Sequence, residues 1–130
     1  MFGLHRGYGR AGGSYRSIDV ASRIEGATPH GLVQILFDEL QRALETLAAL
    51  GPTGDPARRN ERHARAVSIL HGLESSLDME KGGEIAHSLD LIYRESRRLL
   101  DLFQRNGDMA ALAQTRSMIA DISTAWNAIS

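Results

Sequence analysis

Twice in this chain a capping residue stands directly before a proline, Thr28-Pro29 and Asp55-Pro56, and each pair opens a run of apolar residues three and four apart. Proline at the first helical position gives up only an N–H that has no partner there, while the Thr or Asp side chain accepts one that otherwise would have none. The stretch "ATPHGLVQILFDELQRALETLAALG" places Leu32, Val33, Leu36, Phe37, Leu40, Leu44 and Leu47 on one helix face. Gln34, Asp38, Gln41, Arg42 and Glu45 take the other face, and Gly51-Pro52 ends the run. The helix opened by Asp55-Pro56 is expected to reach about Leu77, with a thinner stripe of Ala66, Val67, Leu70, Leu73 and Leu77. A third carries Ile85, Leu89, Ile92, Ser96, Leu99 and Phe103, the alternating spacing of a bundle seam, and stops at Asn106-Gly107. Asp108 caps a fourth, with Leu112, Ile119, Ile122, Trp126 and Ile129 toward the core. Upstream, Ile18, Val20, Ala21 and Ile24 predict one short amphipathic helix between Tyr15 and Gly26. The glycine-rich residues 1–14 read as a flexible arm, because ordering glycines is entropically costly. The expected fold is all-α: an antiparallel four-helix bundle with a short N-terminal helical segment, residues 15–130 forming one domain.

The totals exclude several classes of function. With 130 residues and 42% hydrophobic content, one domain can bury a core without crosslinks. There is no cysteine, so disulfides, thiolate catalysis and cysteine-ligated zinc are out. A net charge of −1 gives no whole-molecule attraction to nucleic acid or to an anionic membrane. The three Phe, three Tyr and one Trp are dispersed and make no platform for stacking bases. No apolar run approaches the roughly 20 residues of a membrane span, and the N-terminus lacks the apolar core of a signal peptide, so a cytoplasmic protein without membrane insertion is expected.

The middle of the chain, "SLDMEKGGEIAHSL", holds the residues most suggestive of chemistry. Gly82-Gly83 follows no strand and precedes no Lys-Ser/Thr, so it is not a phosphate loop. Asp78, Glu80 and Glu84 lack the alternating ligands of a calcium loop. Glu84-Ile85-Ala86-His87 matches the Glu-x-x-His of di-iron bundles once, with His87 opposite the seam. The simpler reading puts Glu84 in a first helical turn, where it complements the dipole, and makes the glycines a reversal between the second and third helices. His5, His30, His63, His71 and His87 are scattered. Arg58, Arg62 and Arg65 share a face with Glu61 among them, a solvated stripe rather than a nucleic-acid surface. No catalytic residue, metal site or cofactor is expected, and a metal-dependent bundle enzyme ranks last among the readings.

Surface character says more. The fourth helix, from Met109 to Ser130, carries only Arg116 and Asp121 as charged side chains, whereas an outer helix face is ordinarily polar or charged. Opposite its core stripe lie Ala113, Ser117, Ala120 and Thr124, small enough to admit another helix or an extended chain. On the third helix Leu91 and Leu102 fall on one line away from the seam. Together they point to a docking surface, unless the arm or a dimer mate covers them.

These stretches also resemble a family. "SLDMEKGGEIAHSLDLIY", Ser76 to Tyr93, follows the pattern S-L-D-x-E-x-G-G-E-I-A-x-N-L-x-x-L-Y of FliS, the flagellin-specific export chaperones. Ala27 through Asp38 follows the upstream A-S-P-x-x-L-x-x-M-L-[YF]-D-G pattern, and "TAW" stands near the end. Ser88 replaces the usual Asn, Glu39 the usual Gly, and Tyr93-Arg94-Glu95-Ser96 the usual Tyr-Asp-Tyr-Met. The resemblance runs from about Tyr15 to Ile129. It implies a cytoplasmic chaperone, not an enzyme, that binds the disordered C-terminal segment of flagellin, prevents premature polymerisation and delivers it to the membrane component of the flagellar type III export gate. The candidate client surface is then Leu91, Leu102, Ala113, Ser117, Ala120 and Thr124. Tyr15, Ile18, Val20 and Ile24 become a segment that covers the groove or docks at the gate. A monomer or weak homodimer is expected. A regulatory or adaptor bundle binding a different protein is the alternative.

Overall fold

The computed structural model describes residues 20–129. The expected arm and the positions of Tyr15 and Ile18 lie outside them. Within them, residues 20–25 are helical, and four longer helices follow: α1 (Pro29–Leu50), α2 (Pro56–Ser75), α3 (Met79–Asn106) and α4 (Met109–Ala128). No described residue is in a strand. Short connections force successive helices to run antiparallel, each packs on the next, and α4 closes the ring against α1.

The ends form as the local chemistry dictates. Thr28 Oγ1 accepts the Gly31 N–H at 3.0 Å, Asp55 accepts that of Arg58 at 3.3 Å, and Asp108 that of Ala111 at 3.0 Å. Asp78 takes two, from Glu80 at 3.1 Å and Lys81 at 2.9 Å. Gly107 closes α3 in the left-handed region (φ 68°), its N–H donating to the Phe103 carbonyl at 2.9 Å. The α1–α2 turn is tied by Arg59, whose guanidinium donates to the carbonyls of Pro52 and Gly54, both at 2.9 Å.

The core forms where the four stripes meet. Phe37, Leu40, Leu44 and Leu47 of α1 are fully buried, as are Leu70 and Leu73 of α2, Tyr93, Leu100 and Phe103 of α3, and Leu112 and Ile119 of α4. Each such side chain contributes about 1.5–3 kcal/mol by leaving water. Ile35 and Ile69, outside the expected stripes, are core as well. Burial pushes the Tyr93 phenol up to about 12.

The structure corrects the expected pattern at the helix ends. Gly82-Gly83 does not make the reversal between α2 and α3: Ser76–Asp78 do, because Asp78 captures two backbone donors and starts α3 at once. The glycines lie inside the start of α3. Gly83, at φ 52° and ψ −130°, breaks the helical path, and a Cβ on Gly82 would meet the Ala86 Cβ at 2.7 Å. Past the break Ala86 takes the inward position, and Ile85 is left 72% exposed instead of seated in the seam. Ile129 follows the last turn of α4 and is 71% exposed, and Leu32 in the first turn of α1 is 39% exposed. Leu77 falls beyond α2, which ends at Ser75, yet still packs against the core.

Candidate docking surface

The outer face of α4 is set by what its inner face buries. Leu112, Thr115, Ile119 and Ser123 point inward, and Thr115 satisfies its hydroxyl on the Ala111 carbonyl at 3.0 Å. That phase turns Ala113, Ser117 and Thr124 outward, with Ala120 half-buried. Arg116 and Asp121 make no ion pair among the described residues, so no salt-bridge layer covers this face.

Two of the four small residues open onto a groove of about 560 Å³ between α1 and α4. Ser117, Ala120 and Arg116 form one wall; Asp38, Gln41, Arg42 and Glu45 of α1 form the other, with Leu44 lining it too. Ala113 and Thr124 share the α4 face but do not line the groove. On α3, Leu91 is 68% exposed and Leu102 is half-buried, and neither reaches it. The candidate residues thus divide into a groove pair, Ser117 and Ala120, a pair on α4 outside it, Ala113 and Thr124, and an α3 pair, Leu91 and Leu102.

The α1 wall was not foreseen as part of a site. Gln34 Nε2 donates to Asp38 Oδ1 at 3.2 Å and to Ser123 Oγ at 3.0 Å, which links α1 to α4 beside the groove. Asp38 Oδ2 accepts from Arg23 Nη2 at 3.0 Å, which brings the helical segment before α1 to the same place. The only available signal was the one-turn spacing of Gln34 and Asp38. Of the segment's apolar candidates, Val20 is half-buried and Ile24 is 45% exposed. At the near end, the His30 ring stacks on Trp126 with centroids 4.5 Å apart, and Trp126 Nε1 donates to the His30 carbonyl at 2.9 Å.

The residues considered for other chemistry sit apart. Glu84 and His87 are both exposed. Among the described residues no group of three His, Asp or Glu is placed to hold a metal ion, and no helix is long and apolar enough to cross a membrane. Arg62 is hydrogen-bonded to Glu61, which holds that carboxyl below its usual range. Arg42 and Arg65 lie 3.6 and 3.7 Å from the buried Glu39, so much of the arginine stripe is engaged within the protein.

Comparison with known proteins finds relatives along nearly the whole chain. The family model described as flagellar protein FliS matches residues 11–130. The flagellar secretion chaperone FliS of Salmonella typhimurium is 36% identical over 119 residues, covering 90% of this chain and 87% of that protein. The same chaperone from Vibrio cholerae is 31% identical, covering 89% and 85%. The flagellar secretion chaperone FliSB of Pseudomonas aeruginosa is 28% identical, covering 89% and 92%.

Proposed function

This chain belongs to the FliS family of flagellar secretion chaperones, and from that membership we infer that it binds the C-terminal segment of flagellin in the cytoplasm. Held on the bundle, the segment is kept from premature polymerisation until it is passed to the membrane component of the flagellar export gate. The activity is binding, not catalysis.

The observation that carries this reading is the outer face of α4. Its small side chains admit close approach and only Arg116 and Asp121 on the helix are charged, and a polar groove runs alongside for the backbone and polar groups of an arriving chain. Ser117 and Ala120 are the central client contacts on this reading, flanked by Ala113 and Thr124. Leu91 is a separate apolar contact on α3, and Leu102, being half covered, is a lesser one. The Arg23–Asp38 pair supports the further reading that the segment containing Tyr15, Ile18, Val20 and Ile24 covers the groove when no client is present.

Titration with a synthetic peptide of the cognate flagellin's C-terminal segment tests this directly. Trp126, the one tryptophan, packs where α4 meets α1 and supplies a fluorescence readout. Saturable binding is expected, and flagellin lacking that segment should not be captured. Equal capture of the truncated flagellin would overturn the assignment of the client segment.

A further inference from the structure

The groove beside α4 holds one side chain that already carries a ligand. Asp38 receives a guanidinium from Arg23, which belongs to the segment before α1 and not to the groove walls. Its other oxygen is fixed separately. Gln34 Nε2 donates to Asp38 Oδ1 at 3.2 Å and, with the same amide, to Ser123 Oγ at 3.0 Å. Ser123 is 6% exposed, so this relay is anchored in the bundle rather than in solvent. The carboxylate is therefore held in one orientation with Oδ2 turned outward, and a cation that binds there need not pay to order it. Gln34 Oε1, beside it, is buried and has no hydrogen-bond donor, leaving acceptor capacity unused.

The occupant in this structure is weakly held. Arg23 and Asp38 are 36% and 37% exposed, and pairs this open to water exchange readily. Ile24 beside Arg23 is itself 45% exposed, so apolar packing adds little to the contact. Arginine–carboxylate pairing does not depend on which chain supplies the guanidinium.

We propose that Asp38 is a cation-recognition subsite of the α1–α4 groove, occupied here by the chain's own Arg23 and taken over by a lysine or arginine of the arriving client segment. This rests on the groove being the client's path. It makes Asp38 a specificity-determining residue and Arg23 an internal competitor for it.

The test uses the full chain and calorimetric titration with the cognate flagellin C-terminal peptide, alongside peptides in which each lysine or arginine is replaced singly by glutamine. Removing the competitor with Arg23→Gln should tighten the parent peptide about two- to fivefold, the scale of an exposed ion pair. In the wild-type protein one replacement should weaken binding about tenfold, as loss of a hydrogen bond to a charged group does, and that loss should vanish in Asp38→Asn. Asp38→Ser gives the same comparison if the asparagine variant melts early. If every replacement costs the same with and without Asp38, the subsite is overturned while the groove stands. If Arg23→Gln leaves affinity unchanged, the competition is overturned. If no version of the peptide binds any variant, the client reading falls and the subsite with it.

Discussion

The outward faces of α3 and α4 are made on opposite plans. On α3 the arginines are matched along the helix and across to α2: Arg94 with Asp90 at 3.0 Å, Arg98 with Glu95 at 2.6 Å, Arg105 with Asp101 at 2.5 Å, and Arg97 with Glu74 at 3.0 Å. On α4 neither Arg116 nor Asp121 has an ion-pair partner among the described residues. A face laced with pairs is finished, since a partner would have to break those contacts or cover them at a desolvation cost. A face of small side chains has few such contacts to break, with only Arg116 and Asp121 to be met by a partner. Scarcity of charge on one helix is thus informative only beside a neighbour that has its full complement.

Closing the α4 groove should have the largest effect. Ala120→Glu places a long side chain between the groove walls, where Arg116 one turn earlier would pair with it and keep it there. Flagellin-peptide affinity should fall about a hundredfold, toward the upper end of the ~1–3 kcal/mol that overfilling a packed contact costs. The melting temperature should hardly move, since such a face tolerates change within about 0.5 kcal/mol. Undiminished binding would mean the client does not use this face, and Leu91 on α3 would be the place to look.

The next effect in size belongs to α3 alone, which starts with a break where α4 is continuous. Gly83 sits at φ 52° and ψ −130°, a region that side chains with a Cβ avoid, although nothing lies within 4 Å to clash. Gly83→Ala should therefore cost about 1–3 kcal/mol through backbone strain alone. Chemical denaturation of the two proteins measures it, and equal midpoints would show that the first turn of α3 re-forms without the break.

That break marks the limit of what the sequence discloses. The starts of α1, α2 and α4 were legible because a cap acts on donors two or three residues away. Two signals competed at the α2–α3 turn, Asp78 and Gly82-Gly83, and composition does not say which reverses the chain; the pair of N–H groups reaching Asp78 does. Ile85, Leu32 and Ile129 were misplaced for a different reason. In terminal turns exposure depends on whether a neighbouring helix extends that far, which periodicity does not report. The small-residue face of α4 was legible from one helix. The polar wall opposite was not, because Gln34 meets Ser123 across 89 positions of chain and only through the packing of α1 on α4.

Buried hydroxyls sharpen the contrast at smaller scale, with opposite signs on the two helices. Ser96 of α3 is fully buried and its Oγ has no partner, whereas Ser123 of α4 accepts from Gln34. Ser96→Ala should raise stability by about 1 kcal/mol by removing an unsatisfied polar group, and alanine is also the better helix former. Ser123→Ala should lower it by a similar amount, since the Gln34 amide loses an acceptor in a half-buried position. Thermal melts of the two variants measured together decide this: a rise for both would mean that helix propensity, not hydrogen bonding, governs these sites, and a fall for Ser96→Ala would overturn the account of its hydroxyl.

The smallest expected effect is the one that makes the comparison fair. If the paired face of α3 is finished, then disturbing it should change nothing the client feels. Glu95 and Arg98 form a close two-bond pair, with Arg98 Nε and Nη2 donating at 2.8 and 2.6 Å, and it holds the Glu95 carboxyl below its usual range. The pair nonetheless lies at the surface, with side chains 59% and 39% exposed, where screening and the entropy of fixing two long side chains cancel most of the attraction. Glu95→Ala should leave both the melting temperature and flagellin-peptide affinity unchanged within error, at low salt as well as at physiological ionic strength. A clear loss of affinity with the fold intact would put the client on the paired face of α3, and the bareness of α4 would then need another explanation.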